Sequence, residues 1–117
     1  MERSKITDGS ICVLRGVDMR RGTTPKLTFT LPFETYFIED LVITFEQGGE
    51  AVLEKRMGEC FLIDNSISVT LTQEETLLFS HEKAVKIQVK IKDTSRGVIA
   101  SNIITKSCGE ILNEEVL

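Results

Sequence analysis

The sequence predicts an all-β protein: a single-domain antiparallel β-sandwich of immunoglobulin-like type, with seven to eight strands and one short helical crossover near residues 73–79. Three observations predict it. Residues 67–72 alternate strictly, with Ile67, Val69 and Leu71 on one face, and residues 85–91 alternate again, with Lys86, Gln88 and Lys90 on the wet face. Period-two alternation of that length is the mark of a half-buried strand. Turn signals recur at intervals of roughly ten residues along the chain, as in sandwiches and barrels. One clear helix start stands between the two alternating runs, where Thr72 can cap the first turn and Glu75, three residues on, completes a capping box.

The remaining elements follow in order. Residues 1–9 are polar and read as a frayed start, and residues 11–14 form a short apolar strand ended by Gly16. Residues 17–24 read as a loop carrying Arg20, Arg21 and Gly22. Leu27, Phe29 and Leu31 alternate inward along the next strand, which Pro25 and Pro32 bracket, since proline is tolerated where no ladder donor is lost. Phe33, Tyr36 and Phe37 lie in a turn or single helical turn that could tuck rings over the end of a sandwich. Residues 41–45 are a strand, and Gly48-Gly49 supplies the positive φ of a hairpin turn. The return run 51–56 alternates poorly, with Ala51 and either Leu53 or Val52 inward, which suits an edge strand. A turn around Gly58, a short apolar strand at 60–63 and a tight turn at 64–66 lead into Ile67. After the central unit, 93–97 is a hairpin loop and 98–105 returns as the last long strand, with one of Ile103 and Ile104 facing outward or the strand covered on both sides. The tail, 106–117, reads either as a final short strand or as an arm that docks on a partner through Ile111, Leu112, Val116 and Leu117.

Bulk properties narrow the function. A chain of 117 residues with 41% apolar side chains can build one core, so the whole of 1–117 reads as one domain that needs no disulfide staples. The net charge of −4 argues against nucleic acid, whose phosphates require a basic footprint. Residues 1–26 hold six cations against three anions, a balance of +3 that leaves −7 for the rest. That asymmetry reads as a solvated basic loop or as electrostatic docking onto an acidic copy or neighbour. Cys12, Cys60 and Cys108 are odd in number and far apart, which suits neither a zinc site nor a disulfide framework. No apolar run approaches the roughly 20 residues of a membrane span. With no signal peptide visible, the expected location is a reducing cytoplasm.

No catalytic constellation emerges, and no cofactor or metal site is expected. His81 is the lone histidine, in a loop, without a second histidine or cysteine beside it, and reads as a surface residue. The glycines fit no phosphate-binding spacing. Glu74 and Glu75 lie in a helix first turn, where negative charge complements the dipole. Aromatic residues are too few for a base-stacking platform.

Four stretches, 21–33, 42–55, 69–79, and 87–91 with 100–105, together resemble small prophage-encoded proteins of Firmicutes. Their order is also similar to the N-terminal β-domain of phage upper baseplate proteins. There, a charged residue and glycine precede a Leu-x-Phe strand, followed by a Thr-x-x-x-Thr-Leu turn and a Gln-Val strand. The resemblance implies a non-enzymatic structural protein of a phage tail or baseplate, assembled through protein contacts and incorporated into a virion. Copies would self-associate, or join other tail proteins, by edge addition or by docking of residues 106–117. The alternative is a small immunoglobulin-like binding or adaptor module acting on a host or phage protein, with Arg20, Arg21, Tyr36 and Phe37 as anchors on its loops.

Overall fold

The computed structural model describes residues 13–16 and 18–117. The expected frayed start, Ile11 and Cys12 lie outside the described residues. The strands are β1 (Val13–Gly16), β2 (Met19–Arg20), β3 (Lys26–Thr30), β4 (Ile38–Gln47), β5 (Glu50–Arg56), β6 (Phe61–Ile63), β7 (Ser66–Thr70), β8 (Val85–Asp93), β9 (Gly97–Ala100), β10 (Ile104–Lys106) and β11 (Cys108–Gly109). One short helix, α1 (Gln73–Thr76), and two 3-10 turns, Thr35–Phe37 and Met57–Glu59, complete the described residues. The architecture is thus mostly antiparallel β, in several sheets, with one short helix.

One sheet has the order β1-β3-β7-β6. The other has the order β5-β4-β8-β10, with β9 also paired to β8. The alternation of each strand decides what it buries. Leu27 and Phe29 of β3, Ile67 and Val69 of β7, Leu41, Ile43 and Phe45 of β4, and Val85, Ile87, Val89 and Ile91 of β8 enter a single apolar core. Full burial of each such side chain contributes about 1.5–3 kcal/mol, so the two sheets stabilise each other. The strand–helix–strand unit carries the chain from one sheet to the other, since β7 and β8 lie in different sheets.

The capping box forms as expected. The Glu75 amide donates to Thr72 Oγ1 at 3.1 Å, and the Thr72 amide donates to Glu75 Oε1 at 2.8 Å. The helix ends sooner than the expected 73–79, because the chain must turn to bury Phe79, whose ring lies 6.0 Å from that of Phe45. The β4–β5 hairpin turns through Gly48 and Gly49, with φ of 61° and 87°.

Further expectations are corrected. The described residues form eleven strands, not seven or eight, because long-range pairing creates short ones where the sequence shows no alternation. Residues 17–24 are not simply a loop: β2 lies there, paired in parallel with β11 of the tail. The run 98–105 is not continuous. Between β9 and β10, the Ser101 amide donates to the Val89 carbonyl at 2.8 Å, and the Val89 amide donates to Ser101 Oγ at 3.0 Å. A side-chain oxygen thereby completes the ladder where the strand breaks. Ile103 faces outward there and Ile104 is half-buried.

β5 is an edge strand, as expected, but its inward residue is Lys55, only 5% exposed, while Ala51 is exposed and Val52 and Leu53 are both half-buried. A register shift between Phe45 and Glu46 accounts for the broken alternation opposite them.

Candidate functional site

The singled-out residues separate to two ends of the molecule. β4 spans the distance between them: its ten residues, at about 3.3 Å each, reach about 33 Å. Arg20, Arg21 and the tail meet at the end where β4 stops. Tyr36 and Phe37 stand where it starts.

At the tail end, Arg21 is an internal clasp. Its Nε donates to the Phe79 carbonyl at 2.6 Å and its Nη2 to the Leu77 carbonyl at 3.2 Å, while Nη1 pairs with Glu114 Oε2 at 2.7 Å. Arg20 Nη1 donates to the Glu110 carbonyl at 2.7 Å. Its guanidinium crosses Gly109 so closely that a Cβ there would meet it at 2.9 Å, and a larger residue would displace the Arg20 side chain. Thr76 ties the same loop to α1, donating from Oγ1 to the Thr23 carbonyl at 2.9 Å and accepting from the Thr23 amide at 3.1 Å. The tail is anchored further on, where the Leu117 amide donates to Gln73 Oε1 at 2.9 Å and Gln73 Nε2 donates to the Leu117 carbonyl at 3.1 Å. Of its apolar residues, Ile111 is half-buried near Gly22, whereas Leu112, Val116 and Leu117 are exposed. His81 is exposed, with Nε2 3.8 Å from Glu110 Oε1.

The other end is built by three segments. The 31–37 segment is held to the Asp64–Asn65 turn by hydrogen bonds from the Leu31 amide to the Asn65 carbonyl (2.8 Å) and from the Thr35 amide to the Asp64 carbonyl (2.7 Å). The 93–97 loop joins through the Thr94 amide, which donates to the Phe37 carbonyl at 3.0 Å. Together they line an open cleft of about 490 Å³, with Leu31, Phe33, Phe37, Asn65 and Arg96 among its walls. Phe33 is buried, as tucking over the core requires, but Tyr36 is 85% exposed and Phe37 49%. Their rings meet edge to face with centroids 5.0 Å apart, a favourable geometry for a quadrupolar pair. The Arg96 guanidinium lies 4.1 Å over the Phe33 ring.

Asp93 organises this loop from a buried position. Its Oδ1 accepts from the amides of Ser95 (2.8 Å) and Arg96 (3.0 Å) and from Ser95 Oγ (2.8 Å). Its Oδ2 makes no hydrogen bond and faces Arg96 Nη1 as an ion pair at 3.5 Å. Burial alone would raise the carboxyl pKa, but the Ser95 and Arg96 hydrogen bonds and the Arg96 charge outweigh it and hold the group below its ordinary value. Asp93 and Arg96 were not singled out from sequence, although an Asp two residues ahead of a Ser is a readable Asx-turn signal.

Lys55 is a second buried charge, with Nζ 2.7 Å from Glu75 Oε2 and 3.5 Å from Glu59 Oε2. Burial opposes both charged forms, yet the shared hydrogen bond and attraction leave Lys55 raised and Glu75 lowered. Glu75 therefore serves both the helix cap and the β5 edge. Burial pushes the Cys60 thiol up to about 11 and also raises Cys108, so at neutral pH both remain thiols rather than thiolate nucleophiles. Among the described residues, no group of three or more His, Cys, Asp or Glu side chains is placed to hold a metal ion, and no helix is long and apolar enough to cross a membrane.

In comparison with known proteins, the chain matches no family model and no curated protein.

Proposed function

We propose that this chain is a non-enzymatic binding module of immunoglobulin-like sandwich shape, which engages a protein partner through the cleft end. Two sheets that contribute to one core support the sandwich reading. The observation that carries the reading is the exposed Tyr36–Phe37 pair, whose Phe37 shares the cleft with Arg96, on segments fixed by backbone hydrogen bonds. Aromatic residues and arginine dominate the energetic centres of protein interfaces. A rigid frame reduces the ordering cost of binding.

The adaptor reading is favoured over a component that assembles by docking its tail, because of the tail's own contacts. Assembly by docking of residues 106–117 would need that arm free, and its polar groups are engaged by Arg20, Arg21 and Gln73 of the same chain. The test is a photo-crosslinking residue placed at Tyr36, with a second placed at Glu50 on the opposite end as control. A partner recovered from Tyr36 alone is then measured against the double variant Tyr36→Ala, Phe37→Ala. The expected result is a loss of at least about tenfold in affinity, or about 1.4 kcal/mol, with the melting temperature unchanged. Equal binding by parent and variant would refute the assignment of this surface.

A further inference from the structure

Exposed sheet edges pair with other strands unless something blunts them, commonly charge, proline, bulges or interruption. Two of the edges here carry such features. β5 has Glu50, Glu54 and Arg56 along it and lies opposite a register shift in β4. The β9–β10 edge is interrupted at 101–103. β6 differs: its sequence is Phe61-Leu62-Ile63, without charge, proline or register shift. Phe61 is 75% exposed and Ile63 64% exposed. Both point away from the core, while half-buried Leu62 lies opposite Ile67.

We infer that β6 is a self-association edge, where two copies of this chain pair antiparallel about a twofold axis through Leu62. The register follows from the hairpin. Ile63 lies opposite Ser66 across the two-residue turn Asp64–Asn65, so that pair exchanges hydrogen bonds. Alternation then directs the Phe61 groups toward β7 as well and the Leu62 N–H and C=O outward. The flanking positions are engaged, since the Cys60 amide donates to the Met57 carbonyl at 3.0 Å and the Asp64 carbonyl accepts from the Thr35 amide at 2.7 Å. The open ladder is therefore centred on Leu62.

A second copy fits this register. Phe61 falls opposite Ile63 of the second copy, an aromatic–β-branched pair of the kind that stabilises adjoining strands. Cys60 falls opposite Asp64 and Glu59 opposite Asn65, so no like charges meet. Centring the axis on Ile63 would instead set Phe61 against Asn65 and Leu62 against Asp64. Behind the edge, Ser68 and Thr28 share one row and Ser66 and Thr30 the next, so hydroxyls stand next to the joint on the outer face. The product is one continuous sheet with twice the four strands of a single copy.

The test uses the full chain. Sedimentation across a concentration series should show a species of twice 13.1 kDa for the parent. Phe61→Lys with Ile63→Lys should raise the dissociation constant at least about tenfold while leaving the circular dichroism and melting temperature in place, as expected for exposed positions. Mild oxidation of a mixture of Phe61→Cys and Ile63→Cys chains should give a mixed disulfide. Those positions form a non-hydrogen-bonded pair with Cα atoms about 4.5 Å apart, within disulfide range. Phe61→Cys alone should not link to itself beyond the background of the parent. A parent that stays monomeric to about 1 mM, a lysine variant that still dimerises with equal affinity, or equal linking of the single and mixed cysteine variants would each overturn the inference.

Discussion

Replacing Arg21 with methionine keeps the apolar stem and removes the guanidinium, and the structure makes the cost calculable. Two charged hydrogen bonds to partly buried carbonyls are lost, at 2.6 Å to Phe79 and 3.2 Å to Leu77. Hydrogen bonds to charged groups contribute about 1.5–3 kcal/mol each, and the longer one falls below that range. The Glu114 pair adds little, because its carboxylate side chain is 61% exposed and such pairs contribute about 0.2–1 kcal/mol. The sum is at least about 2 kcal/mol. At about 4 °C per kcal/mol for a chain of this size, the melting temperature should fall by about 8 °C or more. Urea denaturation of parent, Arg21→Met and Arg21→Lys measures it directly. Lysine keeps the charge but loses the planar fork, so it should lie between the two. Glu114→Ala should cost no more than about 0.5 kcal/mol. A loss below about 0.5 kcal/mol for Arg21→Met would refute the clasp and return Arg21 to the role of a solvated anchor awaiting a partner.

Two further predictions concern stability. Asp93 and Glu75 have folded pKa values below their ordinary 3.8 and 4.5, so the stability they add is complete above those values and is lost as pH falls through the depressed folded ones. Lys55 is raised above 10.5, so its share is complete below that pH and is lost as pH rises through the higher folded value. Urea midpoints measured across both limbs should therefore fall at each extreme, and Asp93→Asn should flatten the acid limb while lowering neutral stability; an acid limb of unchanged slope would contradict this. Thr72→Ala removes the hydroxyl that accepts from the Glu75 amide and should cost about 1 kcal/mol in the same measurement; no change would mean that water replaces the cap without loss.

Local features were legible from the chain because their causes lie within a few residues. The alternation of 85–91 states which side chains share a face, and Val85, Ile87, Val89 and Ile91 are buried together. Gly48 and Gly49 announce positive φ, and Thr72 with Glu75 announces a cap. Alternation does not say which strand lies beside which, so the separation of β7 and β8 into different sheets came only from packing. The same holds for Lys55, whose inward place depends on its pairing with Ile43 across the β4–β5 ladder and on Glu75, distant in sequence. Ser101 completes a ladder that no local pattern predicts, because its hydrogen-bond partner, Val89, lies on another strand. Arg21 looked like a surface cation, yet the carbonyls that hold it belong to residues 77 and 79. Tyr36 and Phe37 were singled out as aromatic residues, but the cleft that Phe37 shares with Arg96 required the 31–37 and 93–97 segments to meet. Sequence determined the faces, turns and cap of this protein. Tertiary structure decided which faces meet and which charges find partners, since those energies arise between residues that only folding brings together.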